Sequence, residues 1–186
     1  MAKIGLQNFL YGILTENANG TATYGAGQKP GKAVSCSVSI SSNDAKLYAD
    51  DGLAESDTSF QSGTVSMEVD NADITTQATL LGHTITGDEM IRKATDTAPY
   101  IALGRIVTKM VGGAYQYKVE FLCKVKFQEI NQENTTKGES VEFGTTTLEG
   151  IVSTLADGTW SKTKTFDTMS DAQTYLNGLF GTTPSA

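Results

Sequence analysis

One histidine, one tryptophan, two cysteines and three prolines in 186 residues leave few of the residue types on which catalysis usually rests. A single histidine excludes the multi-histidine transition-metal sites, which need three or four nitrogen or sulfur ligands. The only imidazole base would be His83, between a helix end expected at Gly82 and Thr84, where a favourable contact with the helix dipole is the expected role. Cys36 and Cys123 lie far apart in apolar-alternating runs and read as buried free thiols. Positive charge is scarce too: 14 Lys+Arg against 21 Asp+Glu give a net charge of -7, which opposes charge-driven gripping of nucleic acid phosphates. No apolar run approaches the ~20 residues of a membrane helix, and the first residues lack the cleavage pattern of a secretory signal. These absences predict a protein made and used in cytoplasm, without membrane or cofactor, whose sequons at Asn19 and Asn134 stay unmodified.

What is present is alternation. A hydrophobic content of 39% suits one globular domain over residues 1–186. KAVSCSVSIS puts Val34, Cys36, Val38 and Ile40 on one side and Ser35, Ser37, Ser39 and Ser41 on the other. SGTVSMEVDN repeats this, with Val65, Met67 and Val69 opposite Thr64, Ser66, Glu68 and Asp70. PYIALGRIVTKMV and AYQYKVEFLCKVKF flank Gly112-Gly113, a pair suited to the positive φ angles of a hairpin turn. In the second arm, Tyr115, Tyr117, Val119, Phe121, Cys123, Val125 and Phe127 share one expected face.

SVEFGTTTLEGIVSTL and TWSKTKTFD read as a pair of strands joined by a turn at Ala156-Asp157-Gly158, and another strand is expected within IGLQNFLYGILT. Two helices are expected: NADITTQATLLG, capped by Asn71 or Asp70 and stopped at Gly82, and one near 170–180, capped by Ser170 and stopped near Gly181. The predicted class is α+β, mainly β: an antiparallel β-sandwich or open barrel with one or two short flanking helices. Connections at 15–32, 43–58 and 128–138 exceed ordinary hairpin loops, and each calls for a function or a partner.

Three site readings fail on spacing. YGAGQKPGKAV misses the phosphate-loop pattern by one residue, has Ala33 in place of the magnesium-binding hydroxyl, and leads into a strand instead of a helix. In NDAKLYADDGLAESD, the acids around Gly52 lack the EF-hand spacing. The same acids could form a glycosidase pair by residue type alone, but a single Trp160 gives no aromatic groove. No catalytic constellation emerges, and a non-enzyme is expected.

The order and wording of these segments carry a resemblance. IGLQNFLYGILTE, PGKAVSCSVSISSNDAKLYADDGLAESDTSF, GTVSMEVDNADITTQATLLG, DTAPYIALGRIVTKMVGGAYQYKVEFLCKVKF, TTKGESVEFGTTTLEG and FDTMSDAQTYLNGLF together resemble a phage major tail protein of the phi13-type siphophage family, over nearly the whole chain. The C-terminal immunoglobulin-like domain of some relatives is not expected after the last helix. The resemblance implies a tail tube fold, subunits joined in sixfold rings and rings stacked into a hollow tube, with tape-measure, tail-tip and tail-terminator proteins as partners. Genomic DNA would pass through without specific binding, and the protein would reside in the virion after synthesis in the host cytoplasm.

Two expectations join the resemblance to the residues. Ser35, Ser37, Ser39, Ser41, Thr64, Ser66 and Glu68 are candidates to line the bore, as a hydrated, weakly acidic surface. The 43–58 connection is expected to reach a neighbouring copy, with Tyr48 and Leu53 as apolar anchors and Asp50, Asp51, Glu55 and Asp57 meeting basic groups. The alternative function is a β-sandwich module that binds carbohydrate or a cell-surface ligand.

Overall fold

The computed structural model describes residues 2–17, 21–49, 52–130 and 144–181, with the backbone alone given for 2–3, 47–49 and 52–54. The described chain is mainly β and antiparallel, with two helices, as its alternation predicts. The strands of the main sheet are β1 (Ala2–Glu16), β2 (Ala22–Tyr24), β3 (Ala33–Ser42), β6 (Phe60–Val69), β9 (Ile101–Val111), β10 (Ala114–Phe127), β11 (Thr146–Val152) and β12 (Ser161–Phe166). They are ordered β2-β1-β9-β10-β11-β6-β3, and β12 also pairs with β10. Two small hairpins stand apart, β4 (Ala45–Ala49) with β5 (Gly52–Asp57) and β7 (Thr84–Thr86) with β8 (Glu89–Ile91).

One strand belongs to two leaves. The first half of β10 pairs with β12 through Tyr117–Leu122, and its last residues, Val125–Phe127, pair with β11. The leaf β2-β1-β9-β10-β12 thereby passes into the leaf β11-β6-β3, and the sheet folds over itself. Between the leaves lies a core of Phe9, Tyr11, Val65, Met67, Ile101, Leu103, Leu122, Val125, Phe127 and Leu148. On the other side of the first leaf, Leu10, Ala102, Ile106, Val119, Phe121 and Cys123 pack with Ala172, Leu176 and Phe180. Burying one such large side chain contributes ~1.5–3 kcal/mol.

Bulges decide which residues reach each core. The register of β10 shifts between Leu122 and Val125, so Val119, Phe121 and Cys123 face one core while Leu122, Val125 and Phe127 face the other. The single face expected for Tyr115 through Phe127 is therefore split, and Tyr115 itself is 53% exposed. In β3 the shift falls between Ala33 and Ser35, which turns Ala33 inward and leaves Val34 exposed, contrary to its expected side. The β1 shift between Gln7 and Leu10 contains Asn8 at φ 51 and lets both Leu6 and Phe9 face the same core.

The Gly112-Gly113 turn has φ values of 58° and 86°, as the hairpin between β9 and β10 requires. Strands β11 and β12 are not paired with each other as expected; each pairs with β10. Helix α1 (Ile74–Leu81) is capped by Asp73, whose carboxylate accepts from Thr76 N, and ends at Gly82 with φ 78. Asp70 cannot cap it, because its Oδ1 accepts from the backbone N–H groups of Lys32 and Asn71. Helix α2 (Met169–Leu179) occupies the expected stretch but is capped by Thr168 and not by Ser170. The described residues of 15–32, which are 15–17 and 21–32, fold back on β1 through β2 and a bridge from Gln28 to Tyr11, and the 128–138 connection leaves the described residues after Ile130.

Candidate functional site

The outer face of the second leaf is built from small polar residues in register. Ser35 stands opposite Glu68, Ser37 opposite Ser66, Ser39 opposite Thr64 and Ser41 opposite Ser62. Strand β11 widens the face, setting Thr147 beside Glu68, Glu149 beside Ser66 and Ile151 beside Thr64. All seven residues expected to line a bore thus share one face, and none is in the hydrophobic core. Their partners within the strands, Cys36, Val38, Val65, Met67 and Leu148, point inward, which fixes the serines and threonines outward. Strands β3, β6 and β11 contain no lysine or arginine.

Charge on this face is held in place. Glu68 Oε1 accepts from Thr145 Oγ1 at 2.6 Å and its Oε2 from Ser35 Oγ at 2.9 Å. These two hydroxyls, Thr145 first, hold the Glu68 carboxyl below the usual carboxylate range. Beyond Ile151 the face ends in a basic, aromatic corner. Lys126 lies directly opposite Ile151, and the Nζ atoms of Lys124 and Lys126 stand 4.7 and 5.3 Å from the centre of the Tyr100 ring. Lys124 is paired with Glu16 at 2.6 Å.

The 43–58 connection, expected as a long inter-strand loop, forms a two-stranded β-ribbon over its described residues. In the ladder of β4 and β5, Leu47 faces Glu55, Tyr48 faces Leu53 and Ala49 faces Gly52; Asp50 and Asp51 lie outside the described residues. The ribbon prolongs the β3–β6 pair beyond a joint at Asn43 and Ser59. Asp57 secures that joint by accepting from Ser59 N at 2.9 Å, Asn43 Nδ2 at 2.8 Å and Ser59 Oγ at 3.2 Å. The Ser59 amide, the Asn43 amide and the Ser59 hydroxyl lower the Asp57 pKa. Glu55 and Asp57 therefore differ in kind: Glu55 is exposed on the ribbon, whereas Asp57 is bound into its base.

Other chemistry-bearing side chains have structural partners. His83 follows the Gly82 cap at the end of α1, where its N–H donates to Ala78 O at 3.0 Å, and its side chain is 2% exposed, with Nδ1 2.9 Å from Asp96 Oδ2 and Nε2 2.7 Å from Glu129 Oε1. Between the leaves, Arg105 Nε and Nη2 meet Glu120 Oε2 at 2.8 and 2.6 Å, and Nη1 reaches Cys36 O at 3.3 Å. Lys118 closes on Glu120 Oε1 at 2.6 Å. Burial pushes the Glu120 carboxyl up, but Lys118 and Arg105 outweigh it and hold it below its ordinary value. The Trp160 ring is stacked on Phe60 at 4.7 Å and 5°, which occupies one of its faces.

Sequence reasoning found the serine face through period-two alternation and missed its basic corner. Lys124, Lys126 and Tyr100 meet across the end of the β9–β10 hairpin, where a register shift sets Ile101 opposite Val125, and Ile151 joins them from β11. The lone signal in the sequence is the lysine alternation of LCKVKF. A scan against protein-family models and a search of curated proteins return no match for this chain.

Proposed function

We propose that the chain is a structural, self-associating subunit of the tail tube of a long-tailed, non-contractile phage. On this reading, six copies form a ring, rings stack into a hollow conduit, and tape-measure, tail-tip and terminator proteins bind its ends. One observation carries the proposal: three adjacent strands present a broad, serine- and threonine-rich face with outward Glu68 and Glu149 and without a basic residue. Such a face repels phosphates weakly and hydrates well, as a conduit for DNA requires. The ribbon and β3, which ends the sheet order among the described residues, supply the means of repetition, since head-to-tail contacts generate rings or open filaments.

Negative-stain microscopy with size exclusion at several concentrations tests this. Rings or tubes of uniform bore are the expected result. A chain that stays monomeric throughout and binds a glycan would overturn it in favour of a carbohydrate-binding sandwich. Deleting residues 49–57 is expected to leave a folded monomer that no longer polymerises.

A further inference from the structure

We infer that the corner formed by Tyr100, Lys124, Lys126 and Ile151 is the docking surface for the β4–β5 ribbon of a second copy, with Glu55 of that copy facing Lys126. The inference rests on the self-association proposed above and names the surface that receives the ribbon. A two-stranded ribbon is marginally stable alone in water, and this one forms its own small sheet apart from the main one. It gains stability by lying against another surface.

Charge and exposed apolar area together point to the surface: Lys164 also stands over rings, those of Phe166 and Tyr175, but neither ring is among the exposed large hydrophobic side chains, whereas Tyr100 and Ile151 are. Residues 43–58 carry Asp44, Asp50, Asp51, Glu55 and Asp57 against one lysine, Lys46. Lys46 is taken by Asp44 at 2.9 Å and Asp57 by the joint, which leaves Glu55 as a described acid of the ribbon free to meet a partner. On the corner, Lys124 is neutralised by Glu16, whereas no carboxylate among the described residues pairs with Lys126. Beside Lys126, Tyr100 is 42% and Ile151 43% exposed, so an apolar contact area adjoins the unpaired cation. An acidic ribbon with Tyr48 and Leu53 in its sequence complements this combination in both charge and apolar content. The serine strands beside it offer no cation.

The test is a charge exchange in the full-length chain, read by sedimentation velocity at low and high salt. Lys126→Glu and Glu55→Lys are each expected to weaken self-association about tenfold or more, and the double variant to restore most of it. Both positions are exposed or half-exposed, and circular dichroism checks that each variant is folded. Lys32→Glu, on a lysine remote from the corner, is expected to leave association unchanged. If Lys126→Glu associates like the unaltered chain, or Lys32→Glu is the one that fails, the docking assignment falls while self-association stands. If Lys126→Glu lowers retention of DNA but not association, the corner is a phosphate contact and the assignment also falls. An unaltered chain that is monomeric in every condition overturns self-association and the docking together.

Discussion

Arg105 shows how a single side chain can hold two leaves together. Its guanidinium spans the gap between β9 and β3, engaging Glu120 with two nitrogens and the Cys36 carbonyl with the third. At 15% exposure the pair is largely withdrawn from water, and removing one partner strands the other charge. Arg105→Met is expected to cost ~2 kcal/mol, less than the ~3–5 kcal/mol of a fully buried pair because the site is partly open. Urea unfolding checks this; a loss below the error of the measurement would mean that packing alone joins the leaves.

The same carboxylate sets a pH dependence. Glu120 has a folded-state pKa below its ordinary 4.5, so its contribution is fully present above that value and is lost as pH falls through the lower, folded value. The urea midpoint of the unaltered chain should therefore drop more steeply below about pH 4.5 than that of Glu120→Gln, whose midpoint should already be lower at neutral pH. Parallel curves would contradict the assignment.

At the level of elements, helix α2 sits where it does because the strands beneath it lack side chains. A Cβ built on Gly12 would stand 2.7 Å from Phe180 Cδ1 and 2.8 Å from the Gly25 carbonyl, and one on Gly104 would be 2.5 Å from Leu176 Cδ1. Phe180 and Leu176 are buried against this floor. Gly12→Ala is expected to destabilise by ~1–3 kcal/mol, because a backbone carbonyl cannot yield as a side-chain tip can. Hydrogen exchange should show the loss in 169–179 and around Gly25, and both regions protected as in the unaltered chain would refute the floor.

Strand identity and face were legible wherever the ladder stays regular, as in β6, whose Val65, Met67 and Val69 all point inward. Where a ladder slips, as at Val34 and Leu122–Val125, local alternation misassigns faces, because a bulge is fixed by the partner strand and not by the residues that form it. Helix caps were missed for a similar reason. Asp70 is a fitting cap by type, but its carboxylate is drawn to Lys32, 38 residues away. The serine face was legible as a pattern, whereas the basic corner depends on the register shift that sets Ile101 opposite Val125 and on the β10–β11 pairing that adds Ile151.

For the whole molecule, the distribution of charge matters more than its sum. The net charge of -7 hides a face free of basic residues next to a corner with two lysines on one tyrosine ring. Replacing Ser37 by lysine should change stability by only about 0.5 kcal/mol in either direction, since its side chain is exposed on the outward face. The same change should make DNA retention measurable at low salt, with the slope of log affinity against log salt steepening by roughly one per phosphate contacted. Unchanged retention would show that the face is not approached by DNA.

Strand β10 has a mechanical consequence. Its first half is stitched to β12 and its last residues to β11, so the two leaves share one continuous backbone. Sliding one leaf past the other cannot proceed by repacking side chains alone; it loads a covalent chain and the ladders on both of its halves. A subunit wired in this way transmits shear as a beam does, and a tube assembled from such subunits would bend at the joints between copies while each copy keeps its shape.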